Sequence, residues 1–526
     1  MEQLFSKAFT TTILWVSLYI FLAIHPGFSQ TITEDYDRSA TLQPVDVAEI
    51  HGNTVTATVY GKNGEHFVYA GGDSGFIDVL HMASNGDLTA VETIELYNKN
   101  GPARGLVADN IEGTDYLFVG NKGGNAVEVF RIGNDGRLKR VFLLKDTDQT
   151  YLGTVITLKV VHMEKKSFLF VGGLEDTPGL SCFEIRDTGK LVHVQSMKDN
   201  EAIHTDGIIG MYSHKINGDT FLFTGGFQDN GVSSFRVFEN GHFENVNNIA
   251  DNTKDRYLTG AYPVDGVVLG GNPYVVVGHR HHKYYKRVGF IKKKDFVYHG
   301  DGVSIFKVSP KGELIPHFVL IDDERTKLSG QTRIELLQLN EEQAIVSVAT
   351  RDDKSIQICH LDQDGKLSPL GVLDTGYPIY YGMASQKIGE DLFFLAGSVQ
   401  NDIKKLFSYK INFWKNHGDK SPRRVLRHIV NLKYKAEATE GQIDEAIAGF
   451  KDLQTKIPEI IGFEGGYNIS KEGHSQGFTH SFVLSFKNEK DRDIYLSHEA
   501  HKALVEKVGP ILEDVLVMDY WGKNAF

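Results

Sequence analysis

Cysteine is nearly missing from this chain: Cys182 and Cys359 are the only two in 526 residues. No disulfide framework can hold the fold, so a core large enough to need no staple is expected. Basic residues are in deficit, with 56 Lys and Arg against 68 Asp and Glu and a net charge of −12. That balance argues against nucleic acid as a partner. It leaves room for a locally cationic surface that binds a small anionic ligand. Long apolar runs are lacking too. The run from Ile13 to Ile24 is too short for a membrane span, and no cysteine follows it to carry a lipid anchor. The chain is therefore not expected to be membrane-embedded. Lys7 before the run and Gly27-Phe28-Ser29 after it have the pattern of a signal peptide, residues 1–29. Export to the periplasm or secretion is expected.

What the chain has in abundance is one repeated phrase. An apolar strand ends in glycine, a polar loop follows, then a second strand and a tight turn. Copies start at Val68, Leu117, Leu169, Leu222, Val275, Ala344 and Phe393, with spacings of 49, 52, 53, 53, 69 and 49 residues. A period of about fifty with four short strands per copy is a propeller blade and not a solenoid turn. The expected fold is mainly β: a seven-bladed β-propeller over 45–414, after an N-terminal segment 30–44. Asn-Gly, Asp-Gly and Lys-Gly pairs recur between the outer strands, where a two-residue hairpin needs positive φ. These glycines are structural. Cys182 and Cys359 fall on the third strands of blades three and six, too far apart to pair, and read as small buried hydrophobes.

After Trp414 the pattern changes. Residues 415–424 (KNHGDKSPRR) form a polar linker. A strand then runs through Val425 to Tyr434. A helix from Thr439 puts Ile443, Ile447, Phe450 and Leu453 on one face. Strands near Gly462–Asn468 and Thr479–Phe486, a helix over Glu489–Leu504 and a strand near Val515–Tyr520 complete a βαββαβ unit. This α+β ferredoxin-like domain occupies 425–526. RHIVNLKYK, IPEIIGFEGGYNIS, GFTHSFVLSF, YLSHEAHKALV and LEDVLVMDYW together resemble the stress-responsive dimeric α/β-barrel (Dabb) family. That resemblance implies a homodimer through this domain. A plant polyketide cyclase belongs to the family, and its catalytic tyrosine and histidines fall on His428, Tyr495 and His501. His480 and His498 also match family histidines.

In a propeller, the loops leading into each innermost strand emerge on one face with the loops between second and third strands. That face surrounds the channel mouth and is the usual concave site. Its loops carry Arg104, His204, Arg256, Tyr257, Arg333 and Tyr380. The copy starting at Val275 is lengthened by an insertion containing His279, Arg280, His281, His282 and Tyr284. A loop that breaks the period is usually functional. Arginine forks onto carboxylates, while His and Tyr move protons. An anionic oligosaccharide is the ligand this face suits. His279, His281 and His282 could ligate a divalent metal, and no other cofactor is indicated.

The LFVGG…F.V…G.L wording resembles lactonase-like propellers. An exported propeller of this kind followed by a Dabb domain resembles the oligosaccharide dehydratases of bacterial ulvan-degradation systems. That resemblance implies a carbon–oxygen lyase that removes water from a non-reducing-end uronate, leaving a 4,5-unsaturated uronate. The expected base is His279 or His281, with His204 as a further candidate, and the acid is Tyr257, Tyr284 or Tyr380. Arg280, Arg104, Arg333 or Arg256 would neutralise the substrate carboxylate. His428, Tyr495 and His501 form a competing site. A non-catalytic oligosaccharide-binding protein, a polysaccharide lyase and a sugar lactonase are the alternatives.

Overall fold

The computed structural model describes residues 38–99, 101–174, 178–251, 258–280, 301–323, 325–380, 382–398, 403–415, 424–486 and 488–523. The signal segment expected at 1–29 lies outside them. Seven four-stranded antiparallel sheets account for 38–415, and an eighth belongs to the C-terminal domain. Blade 1 runs Thr54–Lys62, Glu65–Gly72, Phe76–Met82 and Leu88–Glu95. Blades 2 to 6 repeat that order, with first strands Ala103–Ile111, Val155–His162, Ile208–Ile216, Ala261–Leu269 and Gln331–Asn340. These first strands lie side by side in succession, and the first strand of blade 7, Met383–Ile388, lies against Thr54–Lys62.

Blade 7 takes its outermost strand from the other end of the chain. Arg38–Glu49 pairs antiparallel with Lys405–Lys415 over its length. The segment 30–44, expected to precede the propeller, thus contributes residues from Arg38 onward to its last blade. Its sequence lacks the repeat phrase because it is a lone fourth strand.

The second strand of each blade reads as nearly continuous apolar residues because both its faces are covered by neighbouring blades. Seven interblade cores follow. Phe67, Tyr69 and Val79 of blade 1 pack with Leu106, Leu117 and Phe130 of blade 2. The same arrangement passes around to Phe393, Leu395 and Leu406 of blade 7 against Ala57, Val68 and Leu80 of blade 1. Cys182 and Cys359 sit unpaired in two of these cores, and burial pushes both thiols up.

The outer turns lock onto the preceding blade. Gly136 has φ +79°, and a Cβ there would stand 2.2 Å from the Phe67 ring. Tyr69 donates from its hydroxyl to the Gly136 carbonyl at 3.0 Å. The turn glycines are therefore needed for positive φ, as expected, and also for close approach.

Aspartates close the loops that lead into the inner strands. Asp146 accepts from the Thr150 hydroxyl at 2.6 Å and from the Leu152 amide at 3.1 Å. Asp322 does the same with Thr326 (2.6 Å) and Leu328 (3.2 Å). Asp199 and Asp251 hold Thr205 and Thr259 likewise. Partial burial raises the Asp322 carboxyl to about 6, the Thr326 hydrogen bond opposes that, and the charge of Asp353 adds to it.

The C-terminal domain has the expected βαββαβ order, with sheet order Gly462–Tyr467, His480–Phe486, Arg424–Tyr434, Leu512–Lys523. Thr439 caps the helix Glu440–Lys456 in a reciprocal capping box with Gln442. Ala446, Phe450 and Leu453 bury its apolar face against Leu426, Val430, Phe482 and Leu484. The helix expected over Glu489–Leu504 is two helices, Glu489–Ser497 and Glu499–Val508. His498 lies between them in extended backbone, and its side chain accepts from the Ala500 amide to cap the second. Among the described residues, no helix is long and apolar enough to cross a membrane.

Replacing Gly136 by Ala is expected to destabilise the propeller by roughly 1–3 kcal/mol, from a strained φ and an overpacked Phe67 contact. Thermal unfolding of the variant checks this. An unchanged melting temperature would show that the turn is free to move off the ring.

Candidate functional site

The propeller face assembles only part of the expected set. His279 ends the strand Asn272–His279 and is fully buried. This position does not offer an accessible base, because it is the buried last residue of the second strand, as Gly72, Asn121, Gly173 and Gly226 are in blades 1 to 4. Arg280 is also buried. Its guanidinium lies 5.0 Å from the Tyr262 ring centroid and 5.2 Å from that of Tyr380, and it donates to the Tyr262 hydroxyl at 2.8 Å. Beneath it, Val55, Ile156, Ile209 and Tyr262, drawn from four blades, form one apolar cluster with Phe227. The cluster joins the innermost strands across the channel.

His204 is half-buried. Its amide donates to Ser233 Oγ at 2.9 Å and its ring covers Gly231. Arg104 is the second residue of its inner strand, half-buried opposite Gly120. Arg333 pairs with Glu335 of its own inner strand, Nε to Oε1 at 2.7 Å. Burial pushes Asp265 and Glu335 up, while the charge of Arg333 pulls both back and Lys159 also acts on Asp265. This ionic network is one that a repeat-based reading does not foresee. Tyr257, Arg256, His281, His282 and Tyr284 lie outside the described residues.

For a metal, the described residues offer Asp199, Asp206 and Asp229, each able to bring an oxygen within 4.8 Å of the others. Asp199 closes its loop onto Thr205, and Asp229 accepts from the Asp206 amide at 2.8 Å. Burial and the charge of Asp229 push Asp199 up. The arrangement repeats the loop closure of other blades.

The C-terminal domain does bring its candidates together. His428 alternates with Leu426 and Val430 on the buried face of its strand. The register sets Asp519 directly opposite. His428 Nδ1 donates to Asp519 Oδ1 at 2.6 Å. The helix Glu489–Ser497 brings in Tyr495, whose ring stands 5.4 Å from His428, edge to face. The next helix brings His501 to 4.4 Å from Tyr495. His501 Nδ1 donates to the Leu496 carbonyl at 3.1 Å, leaving Nε2 as the acceptor. Arg492 Nη1 donates to the other Asp519 oxygen at 2.5 Å.

Burial and the Asp519 charge push the Tyr495 hydroxyl well up. His501 is held below the ordinary imidazole value by burial, opposed by the Leu496 carbonyl and reinforced by His428. Asp519 lies low: burial raises it, but hydrogen bonds from His428 and Arg492 outweigh that. The arrangement thus keeps a protonated phenol beside a neutral imidazole. Two groups pushed apart in this way suit acid and base roles in one step.

A third histidine faces the same interior. His480 stands 5.1 Å from Tyr434 and 4.5 Å from Tyr467, and burial lowers it. Its Nε2 and the Tyr434 hydroxyl are buried without a hydrogen-bond partner among the described residues. Burial and then Tyr467 raise Tyr434 to about 12. The sequence resemblance carried the histidines and the tyrosine but missed Asp519 and Arg492. An Asp within the apolar run VLVMDYW was the available signal.

His480 and His501 both take up protons more readily in the unfolded chain. Their contribution is fully present above about pH 6.5 and is lost as pH falls below it through their lowered values in the folded chain. Between about pH 7.5 and about 5.5, the parent should lose more melting temperature than a His480→Gln/His501→Gln variant. Equal slopes would show that these imidazoles are not held neutral.

The stress responsive A/B barrel domain family matches residues 426–522. The stress-response A/B barrel domain-containing protein HS1 of Arabidopsis thaliana is 30% identical over 95 residues, covering 18% of this chain and 87% of that protein. Olivetolic acid cyclase of Cannabis sativa is 26% identical over 96 residues, covering 18% and 95%. Among solved structures, a hydroxynitrile lyase from Passiflora edulis is 27% identical, covers 20% of this chain and 99% of its own, and gives a TM-score of 0.19. Through its C-terminal domain, this chain belongs to the stress-responsive A/B barrel domain family.

Proposed function

We propose that the protein is an exported carbon–oxygen lyase that removes water from the terminal uronate of an anionic oligosaccharide, as in ulvan degradation. The reaction centre we assign is the cluster His428, Asp519, Tyr495 and His501. The observation that carries this reading is the close placement of a neutral imidazole, His501, beside a protonated phenol, Tyr495. The name of the cyclase relative supports chemistry in this domain.

In the proposed step, His501 Nε2 takes the proton from the carbon next to the uronate carboxylate. The electron pair forms the new carbon–carbon double bond, and the bond to the neighbouring hydroxyl breaks. Tyr495 gives its proton to the departing oxygen, which leaves as water. The proton on His501 then returns to the Tyr495 oxygenate across adjacent rings. Such acid–base assistance contributes about 10²–10⁴-fold for each group. The propeller, with Arg280 stacked between two tyrosines, would carry the rest of the anionic chain. A polysaccharide lyase on the same groups would differ only in expelling a sugar.

A homodimer belongs to this reading. Val515, Leu516, Val517, Met518, Tyr520 and Trp521 of the last strand are all more than a third exposed. An apolar strip of that length is normally covered by a partner, and a second copy of the domain has the matching face.

On a uronate-terminated oligosaccharide, His501→Ala and Tyr495→Phe should each cut turnover by at least about 10²-fold, while His279→Ala leaves it intact. The readouts are the ultraviolet absorbance of the conjugated enol ether and the mass loss of one water. Loss in His279→Ala alone would move the chemistry to the propeller. No new chromophore with the parent would favour the binding-protein alternative. Light scattering at micromolar concentration should give a dimer, and a chain lacking residues 424–526 a monomer. A monomeric full chain would refute the assembly.

A further inference from the structure

Arg492 has no part in the resemblance that carries the histidines. It stands three residues before Tyr495, so one helical turn directs both inward. Tyr495 meets His428 while Arg492 meets Asp519. Asp519 is shared: Oδ1 receives His428 Nδ1 at 2.6 Å and Oδ2 receives Arg492 Nη1 at 2.5 Å. Arg492 is itself held from the other side, its Nη2 2.9 Å from Asp493 Oδ1. The side chains form a line, Asp493–Arg492–Asp519–His428, that starts at the surface and ends at a buried imidazole.

We propose that Arg492 is a positioning residue for this centre: it holds one oxygen of Asp519 so that the other stays aimed at His428 Nδ1, leaving Nε2 of the ring as the acceptor. The assignment rests on the cluster being the reaction centre. A carboxylate shared with a guanidinium pulls less strongly on the imidazole proton than one serving the imidazole alone. The Arg492 charge also opposes a second positive charge nearby. Freeing Asp519 from Arg492 is therefore expected to favour a proton on His428. The groups that face His428 are Asp519 from the last strand, Tyr495 from the same helix as Arg492, and His501 from the next helix, with Phe486 closing the apolar side. The charge of Asp519, left to act alone, would favour the imidazolium.

The test uses the full chain with ¹³C,¹⁵N-labelled histidine, the His428 signals being assigned by their loss in His428→Gln. In Arg492→Gln, the titration midpoint of His428 should rise by at least about 0.5 relative to the parent. Arg492→Lys keeps the charge but not the fork, and should fall between the two. An Arg492 that only braces the surface would lower the melting temperature and leave the His428 titration in place. That result, or an unchanged midpoint and tautomer in a folded Arg492→Gln, overturns the proposal. If Arg492→Gln does not fold, Arg492→Lys carries the test: a midpoint identical to the parent counts against the proposal and an upward move supports it. The readout does not require turnover. A shifted midpoint together with full activity in His501→Ala would leave the coupling standing and remove the reaction centre alone.

Discussion

A four-stranded sheet with two apolar faces cannot exist alone in water, and everything in residues 38–415 follows from covering both. Each face needs a neighbour, so the row of blades has two uncovered ends until it closes on itself. Blade 7 supplies the cover for blade 1 through Phe393, Leu395 and Leu406. Blade 7 is itself incomplete until Arg38–Glu49 arrives as its fourth strand. Fully burying one large apolar side chain contributes roughly 1.5–3 kcal/mol, so each interblade core is worth more than a single-blade sheet could retain. The closing strand bonds through its backbone and needs little sequence of its own.

The same demand for close approach explains why the polar chemistry of the propeller sits where it does. Glycines at the outer turns let one blade press on the aromatic ring of the one before. The opposite ends of the inner strands are left to loops, and those loops carry half-buried aspartates that would be costly without donors. Thr150, Thr205, Thr259 and Thr326 supply them. A clustered set of carboxylates in this setting, such as Asp199, Asp206 and Asp229, follows from loop closure before any ligand is invoked. Arg280 differs because two aromatic faces from different blades enclose it.

In the C-terminal domain the controlling fact is that a strand carries two faces with period two. His428 is placed on the inner face because Leu426 and Val430 are, and the antiparallel register then puts Asp519 beside it. An imidazole there would be an unpaired buried group without that carboxylate. The break at His498 matters for the same geometry. A continuous helix would carry His501 onward along the axis of the first helix, six residues beyond Tyr495. The extended residue between the two helices redirects the chain, and the rings of Tyr495 and His501 come to 4.4 Å.

Blades, turn glycines and the βαββαβ unit could be read from the chain because repetition and periodicity are properties of consecutive residues. Thr439 is a good case: the cap and Gln442 three residues later are visible as letters and recur as hydrogen bonds. The fourth strand of blade 7 could not be read so, since its partner lies more than three hundred residues away. Arg333 shows the other kind of limit. Its position near a loop points to the face, while its partner Glu335, two residues further along the strand at 2.7 Å, is not visible as a contact in the letters alone. The same spacing argument places His279 in a loop, but it is the last residue of its strand, at the buried position that Gly72 and Asn121 hold in blades 1 and 2. Residues at the ends of strands are decided by where pairing stops, and pairing stops according to the partner strand. Asp519 and Arg492 belong to the same class: neither is unusual in its own segment, and both acquire meaning only when a strand and a helix far apart in the chain meet at His428.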